Sequence, residues 1–288
     1  AGTPFSGVTA GDFASVYLDG ATTAVYIGRV TAVNAGGASL DISNTAKSGT
    51  APTTGATGRS CTTGGAWLGP VGASSFPFSL AAVAMTNSTG NPPRVNLKNN
   101  ATYAMTSTLT IASASTNVMM QGYTTTAGDG GKATIDGSTN VIDLITSTAI
   151  RFPIADIILS NNGTTGTKVG IIMSGSNGTL NACRVVFHDL RGAGVSSSGA
   201  AQTIMMRDCE FYLCNTSNTA STGAVLVSVL GAFFENCTFH DNAGTNGDAI
   251  YIGFGEVSVR NCIFDTNGAD GIRFAGGHAL MVSGCDFY

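Results

Sequence analysis

The chain has 288 residues, of which only 10 % are charged, with a formal net charge of −4 and 39 glycines. Such low charge removes the Lys and Glu that normally cover exposed helices, and the small acid excess implies no basic surface for nucleic acid. The most apolar run, residues 224–234, is broken by Ser228 and Gly231 and falls short of the ~18–20 apolar residues that cross a bilayer, so no membrane partner is expected.

No basic segment followed by an apolar one opens the chain, so no signal peptide is read there. Three strands are expected over residues 15–18, 24–33 and 39–42, turned by Asp19-Gly20 and by Asn34-Ala35-Gly36-Gly37. Residues 44–65 are rich in Thr, Gly and Ala and read as a long loop. Residues 1–70 are therefore read as a small antiparallel β module with a linker. Trp67 stands among glycines; it reads as packing over a domain junction, with a sugar-stacking platform as the rival. Within residues 71–94 a short apolar helix is expected over 78–85, with Pro77 near its first turn. That helix would cap the open first coil of a solenoid.

Residues 95–288 read as that solenoid, a parallel β-helix with three short strands per coil. The strands begin with segments 95–97, 102–105, 109–111 and 117–123. Further on, Cys-x-Phe recurs at Cys209, Cys237, Cys262 and Cys285, spaced 28, 25 and 23 residues apart. A variable period in the twenties is the mark of a solenoid whose strands keep register while its loops differ in length. Stepping back by 26 residues places Cys183 and Ile157 in the same column. The residue before this column reads Asp156, Ala182, Asp208, Asn236, Asn261 or Gly284, types that favour a tight turn. Upstream of that turn, Ile204/Met206, Ala232/Phe234, Val257/Val259 and Leu280/Val282 alternate as an inward strand face. Another strand opens at Ile171, Val195, Val225, Ile250 and Ile272, each after Gly or Ala.

Equivalent residues of stacked coils form ladders ~4.8 Å apart. Ile157, Cys183, Cys209, Cys237, Cys262 and Cys285 are accordingly expected to form one buried structural ladder of free thiols and an isoleucine. The ladder cysteines stand 23–28 residues apart, unlike the short C-x2-4-C spacing that zinc sites use. Neither a metal nor a cofactor is expected.

Ala101-Thr102-Tyr103, the strand 117–122 and the Asn-Cys-x-Phe coils together resemble the pectate-lyase-like right-handed parallel β-helix superfamily. More narrowly, the segment from Gly122-Tyr123 to Gly128-Asp129 is similar to uncharacterised β-helix proteins of bacteriophages and environmental bacteria. The resemblance implies an all-β, right-handed parallel β-helix. It does not choose among the lyases, polygalacturonases, tailspikes, adhesins and virion surface proteins that share the fold.

Carbohydrate-active members of that superfamily cluster carboxylates on an outward strand face, joined by Arg, Lys or calcium. Asp248 and Asp270 are the best match here. Each lies two residues before an aligned isoleucine, on adjacent coils, and Arg273 follows closely. Such a pair could act as acid and nucleophile or share a cation, with Arg273 holding a uronate. The rival reading places both acids in solvated turns beside Gly247 and Gly271. His188 and His240 fall at offsets +5 and +3 from the ladder column and are read as unstacked, and Asp129 is read as a turn residue.

The constellation is thin for an enzyme. The expectation is a non-enzymatic structural or adhesion component of an extracellular particle, nearest to a phage virion surface or tail protein. Its partners would be other subunits of the particle in a homo-oligomer, with cell-surface glycan as a second class. A polysaccharide lyase or hydrolase, and a secreted bacterial adhesin or fibre subunit, are the alternatives. A bare terminal coil exposes strand edges, so the last coil is expected to be covered by further chain or a partner.

Overall fold

The computed structural model describes residues 13–18, 24–34, 39–42, 48–49, 59–64, 94–99, 102–111, 119–124, 129–175, 177–197, 202–242 and 244–288. All regular structure among them is β. The expected helix 78–85 and Trp67 lie outside the described residues.

An antiparallel sheet of five strands comes first: Phe13–Leu18, Ala24–Asn34, Ser39–Ile42, Ser48–Gly49 and Arg59–Gly64. The last two occupy the stretch that reads as a loop. Arg59–Gly64 runs along the full length of Phe13–Leu18, with Cys61 opposite Val16, and Ser48–Gly49 pairs with Tyr26 and Ile27. Residues 44–65 have little hydrophobic periodicity of their own. The open edge of a neighbouring strand supplies the hydrogen-bond template that their sequence does not advertise.

From Arg94–Lys98 onward every strand pairs in parallel with the strand one coil away. One sheet stacks eight short strands from Thr102–Ala104 to Asp286–Phe287. The other thirteen strands carry the remaining two segments of each coil. In two coils these segments run on as single bent strands, Gly223–Glu235 and Asp248–Arg260. Inward positions alternate with outward ones along each strand, and the inward ones form one continuous buried core.

A single residue turns the chain between the second segment and the eight-stranded sheet. It has positive φ in six successive coils: Asp156 (55°), Arg184 (54°), Asp208 (53°), Asn236 (53°), Asn261 (51°) and Gly284 (62°). Asp, Asn and Gly accept the left-handed region most readily. Arg184 is the exception, and it corrects the expected ladder. Val186 pairs with Glu210 and with Ile158, so Val185, not Cys183, shares a column with Ile157 and Cys209. Cys183 pairs with Ala155 and Arg207 on the outward face and is only half-buried. A uniform 26-residue step fails because these two coils are 28 and 24 residues long.

The ladder therefore runs Ile157, Val185, Cys209, Cys237, Cys262, Cys285. Cys209, Cys237 and Cys262 are buried, Cys285 is half-buried in the last coil, and all are free thiols. Each of the four donates to the carbonyl two residues earlier, across the turn, at 3.2–3.4 Å. Two residues on, Phe187, Phe211, Phe239, Phe264 and Phe287 stack face to face with centroids 4.5, 4.9, 5.1 and 4.7 Å apart. On the last coil the inward columns emerge uncovered, Leu280 at 36 %, Val282 at 43 % and Phe287 at 55 % exposure.

Candidate functional site

The acid pair named from the sequence is brought together but not presented to solvent. Asp248 opens the strand Asp248–Arg260 on the inward parity and is 1 % exposed, which corrects the expected solvated turn. Its Oδ1 accepts the backbone N–H of Asp270 at 3.1 Å. Its Oδ2 is buried without a hydrogen-bond partner, and Arg273 Nη1 stands 3.9 Å away. Burial raises the Asp248 carboxyl above the ordinary carboxylate range, while the Asp270 N–H and Arg273 partly offset it. Arg273 itself lies over the Tyr251 ring at 5.9 Å. Asp248 caps the corner beneath the last coil, and its free oxygen is walled off from any substrate. The outward positions of these strands read Thr146, Ile172, Ser196, Leu226, Tyr251 and Arg273, with no carboxylate among them.

A second polar group escapes the sequence reading. His188, Tyr212 and His240 occupy one outward column of the eight-stranded sheet, between Ser160 and Asp265. The His188 and Tyr212 rings stack at 5.0 Å, as do those of Tyr212 and His240. The two-residue slip at Cys183 puts His188 at offset +5; counted from Val185 it falls at +3, level with His240. His240 bridges two coils, with Nε2 3.1 Å from Glu210 Oε1 and Nδ1 2.8 Å from Asp241 Oδ2. His188 Nδ1 lies 2.7 Å from Asp189 Oδ2. Partial burial works against a charged His240, but the two carboxylates outweigh it and hold the imidazole above its ordinary pKa. His240 in turn lowers Asp241. Burial and the nearby Glu210 and Asp189 charges push the Tyr212 hydroxyl upward. Because the rings cover one another's faces, they offer solvent mostly edges, which suits a structural stack better than a sugar platform.

The third feature is apolar. On the outward face of the second segment, Met205 and Phe233 stand side by side on paired strands at 42 % and 50 % exposure. They line a groove of about 240 Å³ together with Asn181, Cys183, Arg207 and Glu235. Small-molecule sites usually enclose ~300–1,000 Å³ with converging polar groups. This groove is smaller, and its charges pair with each other, Arg207 Nε to Glu235 Oε2 at 3.0 Å. Among the described residues no group of three or more His, Cys, Asp or Glu is arranged to hold a metal ion. Asp129 accepts the N–H groups of Thr124 and Gly131 and serves its turn.

Compared with known families, residues 154–288 match the model described as right handed beta helix region. That stretch has the fold of the parallel β-helix superfamily. No curated protein and no solved structure matches the chain. The fold serves both structural or adhesive proteins and polysaccharide-degrading ones, so the choice between them rests on the outward faces of the coils.

Proposed function

We propose that this chain is a non-enzymatic structural or adhesion component of an extracellular particle, of the kind found at a phage virion surface or tail. The observation that carries this reading is the occupation of Asp248. A carboxylate 1 % exposed and bonded to the backbone N–H of its own would-be partner is a corner cap, not a general acid within reach of a glycosidic bond. The exposed Met205–Phe233 pair, side by side on one outward face, adds support, since adjoining exposed apolar groups mark packing against a neighbour. The purified protein, as isolated chain and as native assembly, should leave acidic and neutral polysaccharides intact with and without Ca2+.

A polysaccharide lyase or hydrolase is the second reading, and one observation favours it. Glu210, His240 and Asp241 form an outward acid–base cluster of the type such chemistry uses. Chain cleavage that disappears in Glu210→Gln while the protein remains folded would establish that reading and overturn the first.

A further inference from the structure

The outward face of the second segment has a regular pattern once the register is laid out. Its central column runs Pro153, Asn181, Met205, Phe233, Ser258, Met281. At the next outward position along each strand stand Cys183, Arg207, Glu235 and Arg260. Neighbouring charges in this row alternate in sign.

We infer that this face is a two-fold interface between two copies of this chain, packed sheet to sheet with their coils running in opposite directions. The charge row selects that arrangement. A two-fold axis lying along the strand direction, midway between the Met205 and Phe233 coils, keeps the charged row of one copy opposite that of the other and reverses the coil order. Arg207 of each copy then faces Glu235 of its mate, and Met205 faces Phe233, a sulfur–aromatic contact. The same operation sets Asn181 against Ser258 and Pro153 against Met281, so in the central column polar meets polar and apolar meets apolar, while in the charged row Arg260 faces Cys183 outside the paired charges. A two-fold axis along the coil stack instead places the two charge rows on opposite rims and leaves no cross-pairing. An isologous contact needs this kind of self-complementary patch.

Six strands ~4.8 Å apart and about five residues long at ~3.3 Å each cover about 500 Å² per copy, or about 1,000 Å² in all. That lies at the low end of specific interfaces, so the dimer is a weak one that other contacts in a particle would reinforce. The inference deepens the structural reading above, and the two fail separately. A chain that stays monomeric yet degrades no polysaccharide sinks only the dimer, while turnover sinks the structural reading and leaves the dimer standing.

The test is the oligomeric state of the full chain by sedimentation across a concentration series. Wild type should dimerise, and Phe233→Asp should be monomeric with the melting temperature of dilute, dissociated wild type, since Phe233 is half exposed. Arg207→Glu and Glu235→Arg should each weaken self-association by about tenfold or more, because each places like charges face to face twice. Mixed together, the two single variants should form a heterodimer. One chain then carries acid at both positions and the other carries base at both, so each facing pair across the axis is of opposite sign. A role confined to the ion pair within one chain cannot produce that rescue. The inference is overturned by a wild type that remains monomeric throughout the series, by a dimer that survives Phe233→Asp, or by single variants that fail to associate when mixed.

Discussion

Cys237 is tied into the ladder by two sulfur contacts, one through its own thiol and one through that of the next coil. Its Sγ donates to the Glu235 carbonyl at 3.4 Å, and its own N–H is accepted by the Cys262 Sγ at 3.4 Å. Cysteine fills the apolar corner as a small hydrophobe while its long C–S bonds reach the carbonyl. Serine has a shorter reach and a stronger need for partners, so Cys237→Ser should lower stability by about 1–3 kcal/mol. Thermal or urea unfolding reads this directly, and an unchanged midpoint would mean that the column is not core. The buried thiols are also poor nucleophiles: burial lifts Cys214 far above its ordinary range, and only a thiolate attacks. His240 gives the second expectation at this scale. Its folded pKa lies above the ordinary 6.5, so the stabilisation it supplies is fully present below about pH 6.5 and lost as pH rises through the raised value. Replacing it, as His240→Gln, should cost stability at pH 5.5 and progressively less toward pH 8.5. A melting-temperature difference that is constant across that range would refute the ion-bridge account. Asp241, whose pKa is lowered by the same contact, acts at the other flank, where its contribution disappears as pH falls through its own folded value.

Between the second segment and the eight-stranded sheet, one left-handed residue per coil sets the register of the strand beyond it. Arg184 holds this position by forking its Nε and Nη2 onto the carboxylate of Asp156, one coil below, at 2.7 and 2.8 Å. Asp156 is wholly buried, so Arg184→Met would strand its charge. The expected cost is about 3–5 kcal/mol, and a second change, Asp156→Asn, should recover much of it. Urea denaturation of the single and double variants checks the pair; equal stability of all three proteins would remove it from the account. The same residue marks the limit of what is legible in the sequence. Asp208, Asn236, Asn261 and Gly284 announce the turn because their side chains tolerate positive φ intrinsically, and the strands around them are legible for the same reason. Arg184 is held there by a contact 28 residues away in the chain, which no local pattern reveals. One hidden turn displaces Cys183 into the ladder and His188 out of its column. The burial of Asp248 is hidden likewise, because it depends on the next coil lying over it. Strand Arg59–Gly64 has no pattern apart from its partner.

At the scale of the whole molecule, the polysaccharide assay has to be run on both isolated chain and assembly, because a groove completed by a second chain would be silent in the first. Intact polymer in both arms is the expected outcome, and cleavage confined to the assembly would place a composite site between copies. The stacked columns have one more consequence. Successive Cys-x-Phe motifs are 28, 25 and 23 residues apart along the chain, yet each advances the axis by the same ~4.8 Å strand spacing. The rod therefore measures distance in coils and is indifferent to how many residues each coil places in its loops. Insertions at loop tips change girth and surface chemistry without altering reach, whereas duplication of a single coil lengthens the rod by one fixed increment. A protein built this way is a ruler whose markings are independent of its decoration, so its span and its outward surface can evolve separately.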